Sequence, residues 1–272
     1  MASRSRKAGE SEPEVNSSII VPAYKENGNI TPLVTRLFAA LDHHPNLKAE
    51  VIIVDDNSRD GSVETVEQLQ SQYGYNVRII VRTTERGLSS AVVRGFQEAR
   101  GYQMLCMDAD LQHPPESVPS LLNAFGNRKE FVLGTRYGEG VSMDKDWPLH
   151  RQIISAGARM LARPLTSASD PMSGFFGITK DSFNRAGQIN AQGFKIALDL
   201  LVKAEIAKDA IAEVPFSFGL RAEGESKLTG KVMIKYLDQL RELYIHKFGL
   251  PTILVAIILM FFLAVYLLKS IL

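Results

Sequence analysis

The chain has one cysteine, no excess of either charge, and neither of the glycine-rich signatures of common nucleotide-binding loops. Each lack excludes something. Cys106 stands alone among 272 residues, so no internal disulfide can form. That fits a reducing compartment. Its place in the apolar run Tyr102–Met107 reads as a buried strand residue rather than a nucleophile. With 31 Lys and Arg against 30 Asp and Glu, nothing global points to nucleic acid, and no nucleic-acid partner is expected. No G-x-G-x-x-G and no G-K-[ST] is present, which argues against dinucleotide and P-loop chemistry. The opening stretch MASRSRKAGESEPEVN has no apolar core, so residues 1–16 are expected to be a disordered tail rather than a signal peptide. There is no internal repeat or low-complexity tract.

From residue 17 onward, strand and helix signals alternate. Ser18–Val21 is a short apolar run ended by Pro22, and Asn29–Leu41 is helical in pattern. Glu50–Val54 is a β-branched run ending at Asp55-Asp56, and Asp60–Tyr73 is helical with an acidic first turn. Val77–Val81, Tyr102–Met107 and Phe131–Leu133 read as strands and Leu88–Ala99 as a helix. Short, nearly continuous apolar strands separated by helices indicate a mostly parallel sheet with helices on both faces, the doubly wound α/β class. The later part is less regular. Arg151–Ala162 is amphipathic, with Ile154, Ala158, Leu161 and Leu165 on one stripe and Arg151, Arg159 and Arg163 mostly off it. That helix, near 150–165, suits either the core or a membrane interface. Phe194–Ala207 reads as a helix, Ile211–Phe218 as a strand, 221–230 as a polar, glycine-containing mobile loop, and 230–248 as a juxtamembrane amphipathic helix.

Leu250–Leu268 (LPTILVAIILMFFLAVYLL) carries no charge. At 1.5 Å per residue it spans roughly 28 Å, close to the hydrocarbon thickness of a bilayer. Residues 249–268 are therefore expected to be a transmembrane tail anchor, with residues 1–249 on the cytosolic side. Its modest length suits the endoplasmic reticulum membrane.

In doubly wound sheets, ligands bind beyond the carboxyl ends of the strands. Polar clusters follow four candidate strands: Pro22-Ala23-Tyr24-Lys25-Glu26, Asp55-Asp56-Asn57-Ser58, Asp108-Ala109-Asp110, and Gly134-Thr135-Arg136. Together they define one rim. In Asp108-Ala109-Asp110-Leu111-Gln112, two carboxylates at a strand end can turn toward one cation, and Gln112 adds a third oxygen. Hard oxygen ligands beside phosphates suit Mg2+ or Mn2+. Asp56 sits where a strand-end acid commonly bonds a ribose hydroxyl. Asp55 either bonds a base or caps a helix. Glu26 can accept from base N–H groups, and Tyr24 can pack near the base. Arg221 and Lys227, on the mobile loop, add positive charge for phosphate. Arg136 and Arg151 offer guanidinium forks for a second phosphate. His43 and His44 read as solvent-facing, and His113, before Pro114-Pro115, as shaping a turn. A phosphate nucleophile is already an anion, so His150 is not needed as a base.

The stretches VPAYKENGNI, VIIVDDNSRDGS, ERGLSSA, MDADLQHPPE, LGTRY, SDPMSGFFG, EVPFSFGLR and GESKL, from about residue 18 to 230, resemble the dolichol-phosphate mannosyltransferases of the inverting GT-A glycosyltransferase family 2. The likeness is greatest to the fungal single-chain type. The resemblance implies a GT-A catalytic domain over 17–229. It implies transfer of mannose from GDP-mannose to dolichyl phosphate with inversion, which supplies a mannose donor for endoplasmic reticulum glycosylation and GPI-anchor synthesis. Pro22, Tyr24, Glu26, Val54 and Asp56 would line the guanosine site. Asp108, Ala109, Asp110 and Gln112 would hold metal and diphosphate, Arg221 and Lys227 would engage the donor phosphates, and Arg136, Arg151 and Ser155 would receive the lipid phosphate. Asp110, Arg136 and Arg151 are the residues expected to carry catalysis. Activity without accessory subunits is implied, because the chain brings its own bilayer attachment. Gly87-Leu88-Ser89-Ser90-Ala91 departs from many relatives, which carry a further glycine there. Two other readings stand beside this one: a dolichyl-phosphate glucosyltransferase using UDP-glucose, and a non-catalytic nucleotide-sugar-binding regulator at the membrane.

Overall fold

The computed structural model describes residues 15–126, 128–136, 149–190, 195–217, 230–252 and 254. The apolar runs become strands β1 (Ser17–Ala23), β2 (Ala49–Asp55), β3 (Val77–Val81), β4 (Gln103–Cys106), β5 (Phe131–Thr135), β6 (Phe176–Thr179) and β7 (Ile211–Pro215). They form one sheet in the order β3-β2-β1-β4-β6-β5-β7. The first four run parallel. β6 inserts antiparallel between β4 and β5, and β7 lies parallel to β5 on the far edge.

The helices are α1 (Asn27–Leu41), α2 (Ser62–Tyr73), α3 (Leu88–Glu98), α4 (Val118–Ala124), α5 (Leu149–Ala162), α6 (Lys180–Arg185), α7 (Ile196–Lys203) and α8 (Gly230–Phe248). The period-2 alternation of a strand explains why both sheet faces are apolar. Ile19, Val21, Val51 and Ile53 meet Leu33 and Leu37 of α1, Val66 of α2 and Leu121 of α4 on one face. Ile20, Ile52 and Val54 meet Val92 and Phe96 of α3 and Leu200 of α7 on the other. A third cluster joins Ala162 and Leu165 to Leu198 and Val202 of α7 and Tyr236, Leu240 and Leu243 of α8. α3 lies directly on β1: a Cβ on Gly95 would come within 2.4 Å of Ile20 Cγ2. That close seating fixes where the N-terminus of α3 meets the rim.

Four expectations change. β1 runs through Pro22, which pairs with Val54 of β2. Its pairing with β4 ends earlier, at Ile20, so proline's missing N–H falls where β1 has one neighbour. β6 and α6 emerge from a stretch read as irregular, because four strand residues, FGIT, are too few to show a period. α7 is shorter than Phe194–Ala207; it stops at Lys203, and Glu205 takes a left-handed φ of 51° in the turn that follows. Ala158 and Ala162 of α5 and Leu165 just after it face inward, whereas Leu161 and Met160 are exposed.

Among the described residues no helix is long and apolar enough to cross a membrane. The expected anchor lies outside them, apart from its first residues. So do the tail over residues 1–14 and the loop over 218–229, and with that loop Arg221 and Lys227.

Candidate active site

The parallel strands deliver their polar ends to one rim, and the chain bends sharply at each exit. Lys25 after β1, Asn57 after β2 and Leu111 after β4 all have left-handed backbones, with φ of 61°, 59° and 63°. Such conformations are costly for a residue as bulky as leucine and tend to gather at functional sites.

At the β2 exit, Asp55 is a turn-builder. Its carboxylate accepts the Ser58 N–H at 2.8 Å and the Ser58 hydroxyl. Ser58 Oγ in turn accepts the Lys25 N–H at 2.8 Å, tying the first two strand exits together. Asp55 thus caps a turn rather than a helix. Asp56 is buried and held on both oxygens. Arg82 Nε donates to Oδ1 at 2.7 Å, and the Gly87 N–H donates to Oδ2 at 2.8 Å. Arg82 also reaches Ser90 Oγ at 2.8 Å and the Gly87 carbonyl at 2.9 Å, so it clamps the start of α3. Gly87 has φ of 126°, which a side chain would oppose.

Tyr24 is 42% exposed at the same corner, with the Arg86 guanidinium 5.9 Å from its ring centre and the Lys25 ammonium 5.6 Å away. Glu26 is half-buried and accepts from Asn29 Nδ2 at 2.7 Å. Pro22 is partly exposed in β1. Val54 is 0% exposed and its side chain packs with Ile20 and Val92 in the core, because alternate β2 residues face the α3 layer.

At the β4 exit, Asp108 is partly exposed and Asp110 is buried. Asp110 Oδ1 accepts the Gln112 N–H at 3.2 Å, and Ala109 packs its methyl into the core. His113 has more to do than shape a turn. It is buried, its Nδ1 accepts the Asp108 N–H at 2.9 Å, and its ring stacks on Phe175 with centroids 4.9 Å apart. Phe216 closes the edge at 5.7 Å. Burial holds the imidazole pKa below its ordinary value, with Asp108 and Asp110 pulling the other way. The accepted N–H fixes the neutral tautomer with its proton on Nε2.

Among the described residues no three His, Cys, Asp or Glu side chains form a metal cage. The arrangement still fits a hard divalent cation that keeps waters and takes further oxygens from phosphates. Gly174 provides the supporting observation. A Cβ there would come to 3.4 Å from Asp108 Oδ2 and 3.3 Å from His113 Cε1, so the missing side chain keeps the Asp108 carboxylate clear.

At the β5 exit, Arg136 is forked onto buried Asp170, Nε to Oδ2 at 2.8 Å and Nη2 to Oδ1 at 2.9 Å. Arg151 and Ser155 fall in the first turns of α5.

Sequence reasoning missed Arg82, Asp170, Gly174 and Lys195. The segment 170–175 serves three of the clusters: Asp170 orients Arg136, Gly174 clears Asp108, and Phe175 supports His113.

A seven-stranded, mostly parallel sheet with this acidic rim is a GT-A-like glycosyltransferase fold. The chain belongs to glycosyl transferase family 2, whose model matches residues 18–187. It is 72% identical over 253 residues to a dolichol-phosphate mannosyltransferase of Mycosarcoma maydis, covering 92% of this chain and 86% of that one. It is 61% identical over 240 residues to the dolichol-phosphate mannosyltransferase of Saccharomyces cerevisiae, covering 86% and 89%. A mannosyltransferase of Pyrobaculum calidifontis, solved in complex with GDP-Man and Mn2+, superposes with a TM-score of 0.53 at 16% identity, covering 73% of this chain and 56% of that one.

Proposed function

We propose that this protein is a dolichol-phosphate mannosyltransferase: it transfers mannose to dolichyl phosphate, taking it from GDP-mannose with inversion. One observation carries the reading: Asp108 and Asp110 leave β4 on the same rim as Asp56 and Arg136, in a chain 72% identical to a dolichol-phosphate mannosyltransferase. An oxygen of the lipid phosphate attacks C1 of the mannose. The bond from C1 to the GDP phosphate oxygen breaks, and GDP leaves with the electron pair. The nucleophile is an anion, so no proton has to be removed and no protein nucleophile is required. Bound at Asp108, Asp110 and Gln112, Mg2+ or Mn2+ would supply positive charge for the departing diphosphate. The chain's own residues then position. Asp56 addresses the ribose, Tyr24, Glu26 and Pro22 the base, Arg221 and Lys227 the donor phosphates, and Arg136, Arg151 and Ser155 the lipid phosphate. Catalysis of this kind is orientation plus charge stabilisation.

The protein works at the cytosolic face of the endoplasmic reticulum membrane, held by the 249–268 segment and active without accessory subunits. Exposed Ile234, Leu237, Phe248 and Leu250 support a lipid-facing surface leading into that segment.

The test incubates purified full-length protein with radiolabelled GDP-mannose, Mn2+ and a polyprenyl phosphate, then extracts the lipid phase. Label in the lipid is expected, and parallel UDP-glucose should give little. Efficient transfer from UDP-glucose alone would replace mannose by glucose; nucleotide binding without any transfer would leave a regulator.

A further inference from the structure

The segment 170–175 serves three clusters of the site, and both its ends are pinned to β5. Thr135 Oγ1 and Ser169 Oγ lie 3.0 Å apart, and the Gly134 N–H donates to the Phe175 carbonyl at 2.8 Å. Between these pins the chain folds tightly. The Ser173 N–H donates to the Asp170 carbonyl at 3.0 Å, and the Phe175 N–H donates to Ser173 Oγ at 3.2 Å. Asp170 and Gly174 thus flank one apex, Met172.

That apex rests on helices rather than on the sheet. The Met172 side chain is buried in the third cluster, with Leu165, Leu198 and Val202 of α7, and Tyr236 and Leu240 of α8. Phe175, three residues on, belongs to the first cluster instead. The Met172 carbonyl accepts from Lys195 Nζ at 3.3 Å. Lys195 caps the N-terminal end of α7, and α8 grips its backbone. Buried Gln239 donates Nε2–H to the Lys195 carbonyl at 3.1 Å and accepts the Lys195 N–H at 3.3 Å. One apolar and one polar contact therefore seat Met172 on α7 and α8.

A turn closed by its own hydrogen bonds shifts as a unit, and close-packed surroundings transmit the shift. A displaced Met172 carries Asp170, the forked partner of Arg136, and Gly174, whose missing side chain leaves room for the Asp108 carboxylate. The nucleoside corner is built from other elements: Arg82 and Gly87 hold Asp56, and Ser58 holds Lys25. We infer that Met172 is a positioning residue, seated by α8, which sets the cation and acceptor-phosphate half of the site and leaves the nucleoside half alone. The inference rests on the transferase reading above.

The test uses full-length protein in detergent–phospholipid micelles and reads three constants: half-saturation by Mn2+, the acceptor KM for a polyprenyl phosphate, and GDP affinity without metal. Met172→Ala should raise the first two about three- to tenfold, the scale of a small misplacement of site groups. GDP affinity without metal should stay within about twofold, as for independent sites. Met172→Leu, of similar volume, should restore the first two. Gln239→Leu should move the same two constants in the same direction by less. Leu69→Ala, buried on α2 in the first cluster, is the control for lost stability: it should lower the melting temperature and leave all three constants in place. Unchanged Mn2+ and acceptor constants in Met172→Ala, or a rise in all three matched by Leu69→Ala, overturns the assignment. If Met172→Ala unfolds, Met172→Val and Gln239→Leu decide it by the same split. If wild-type protein transfers no mannose, the transferase reading falls by itself; titration of GDP with and without Mn2+, which needs no turnover, then still judges Met172.

Discussion

Arg82 and Asp56 form a buried ion pair whose second carboxylate oxygen is taken by the Gly87 N–H. The carboxylate expected to meet a ribose is thus presented by β3 and the start of α3, neither of which precedes it in the chain. Removing Arg82 leaves a buried carboxylate without its counter-charge, a change on the order of 3–5 kcal/mol. Arg82→Leu should lower the melting temperature by several degrees and raise the donor KM while leaving the acceptor KM nearly unchanged. Thermal unfolding and GDP titration of the variant check this. Unaltered donor affinity would mean that Asp56 is a structural anchor only.

His113 supplies the second prediction. Its Nδ1 accepts the Asp108 N–H while Phe175 and Phe216 hold the ring. His113→Phe keeps an aromatic plate but loses the acceptor, so the Asp108 turn should loosen. Half-saturation by Mn2+ should rise several-fold in activity titrations. There is also a pH signature. The folded pKa is depressed, so on acidification the unfolded chain takes up a proton that folded His113 refuses. Wild-type stability contributed this way is present above about pH 6.5 and declines below it. The variant should show a shallower loss of melting temperature between neutral and acidic pH. Parallel curves for the two proteins would remove His113 from the account.

How much of this was visible in the chain follows from contact range. The triplet Asp108-Ala109-Asp110 was legible because its chemistry is local, and β1 to β4 were legible because buried parallel strands are short apolar runs. What organises those acids was not. Arg82 lies 26 residues from Asp56, Asp170 lies 34 from Arg136, and Gln239 lies 44 from Lys195. No period or spacing encodes such pairs; packing of the sheet does. Val54, which the resemblance assigns to the guanosine site, has its side chain turned to the core by strand alternation. The short antiparallel β6 escaped the fold reading, because its four residues are too few to show a period.

The last prediction concerns membrane attachment. α8 is fastened to α5 and the chain just after it by hydrogen bonds from side chains to carbonyls. The Tyr236 hydroxyl donates to Ala158 at 2.7 Å, Tyr244 to Leu161 at 2.9 Å, and Lys247 Nζ to Leu165 at 2.7 Å. Leu240 and Leu243 are buried beneath them. Gly249 then takes a left-handed φ of 75°, ending α8 before the apolar run begins. These contacts hold α8 in place through residues of α8 itself. Deleting residues 249–272 should leave the melting temperature within about 2–3 °C of the full chain, a change of no more than about 1 kcal/mol in a domain of this size. It should also keep transfer to a short, soluble polyprenyl phosphate, while sedimentation with phospholipid vesicles is lost. If truncated protein still sediments, the exposed apolar side chains Met160, Ile234 and Leu237 are the ones to change. Ile234→Glu with Leu237→Glu should then release it, and continued sedimentation of that variant would place the lipid contact elsewhere.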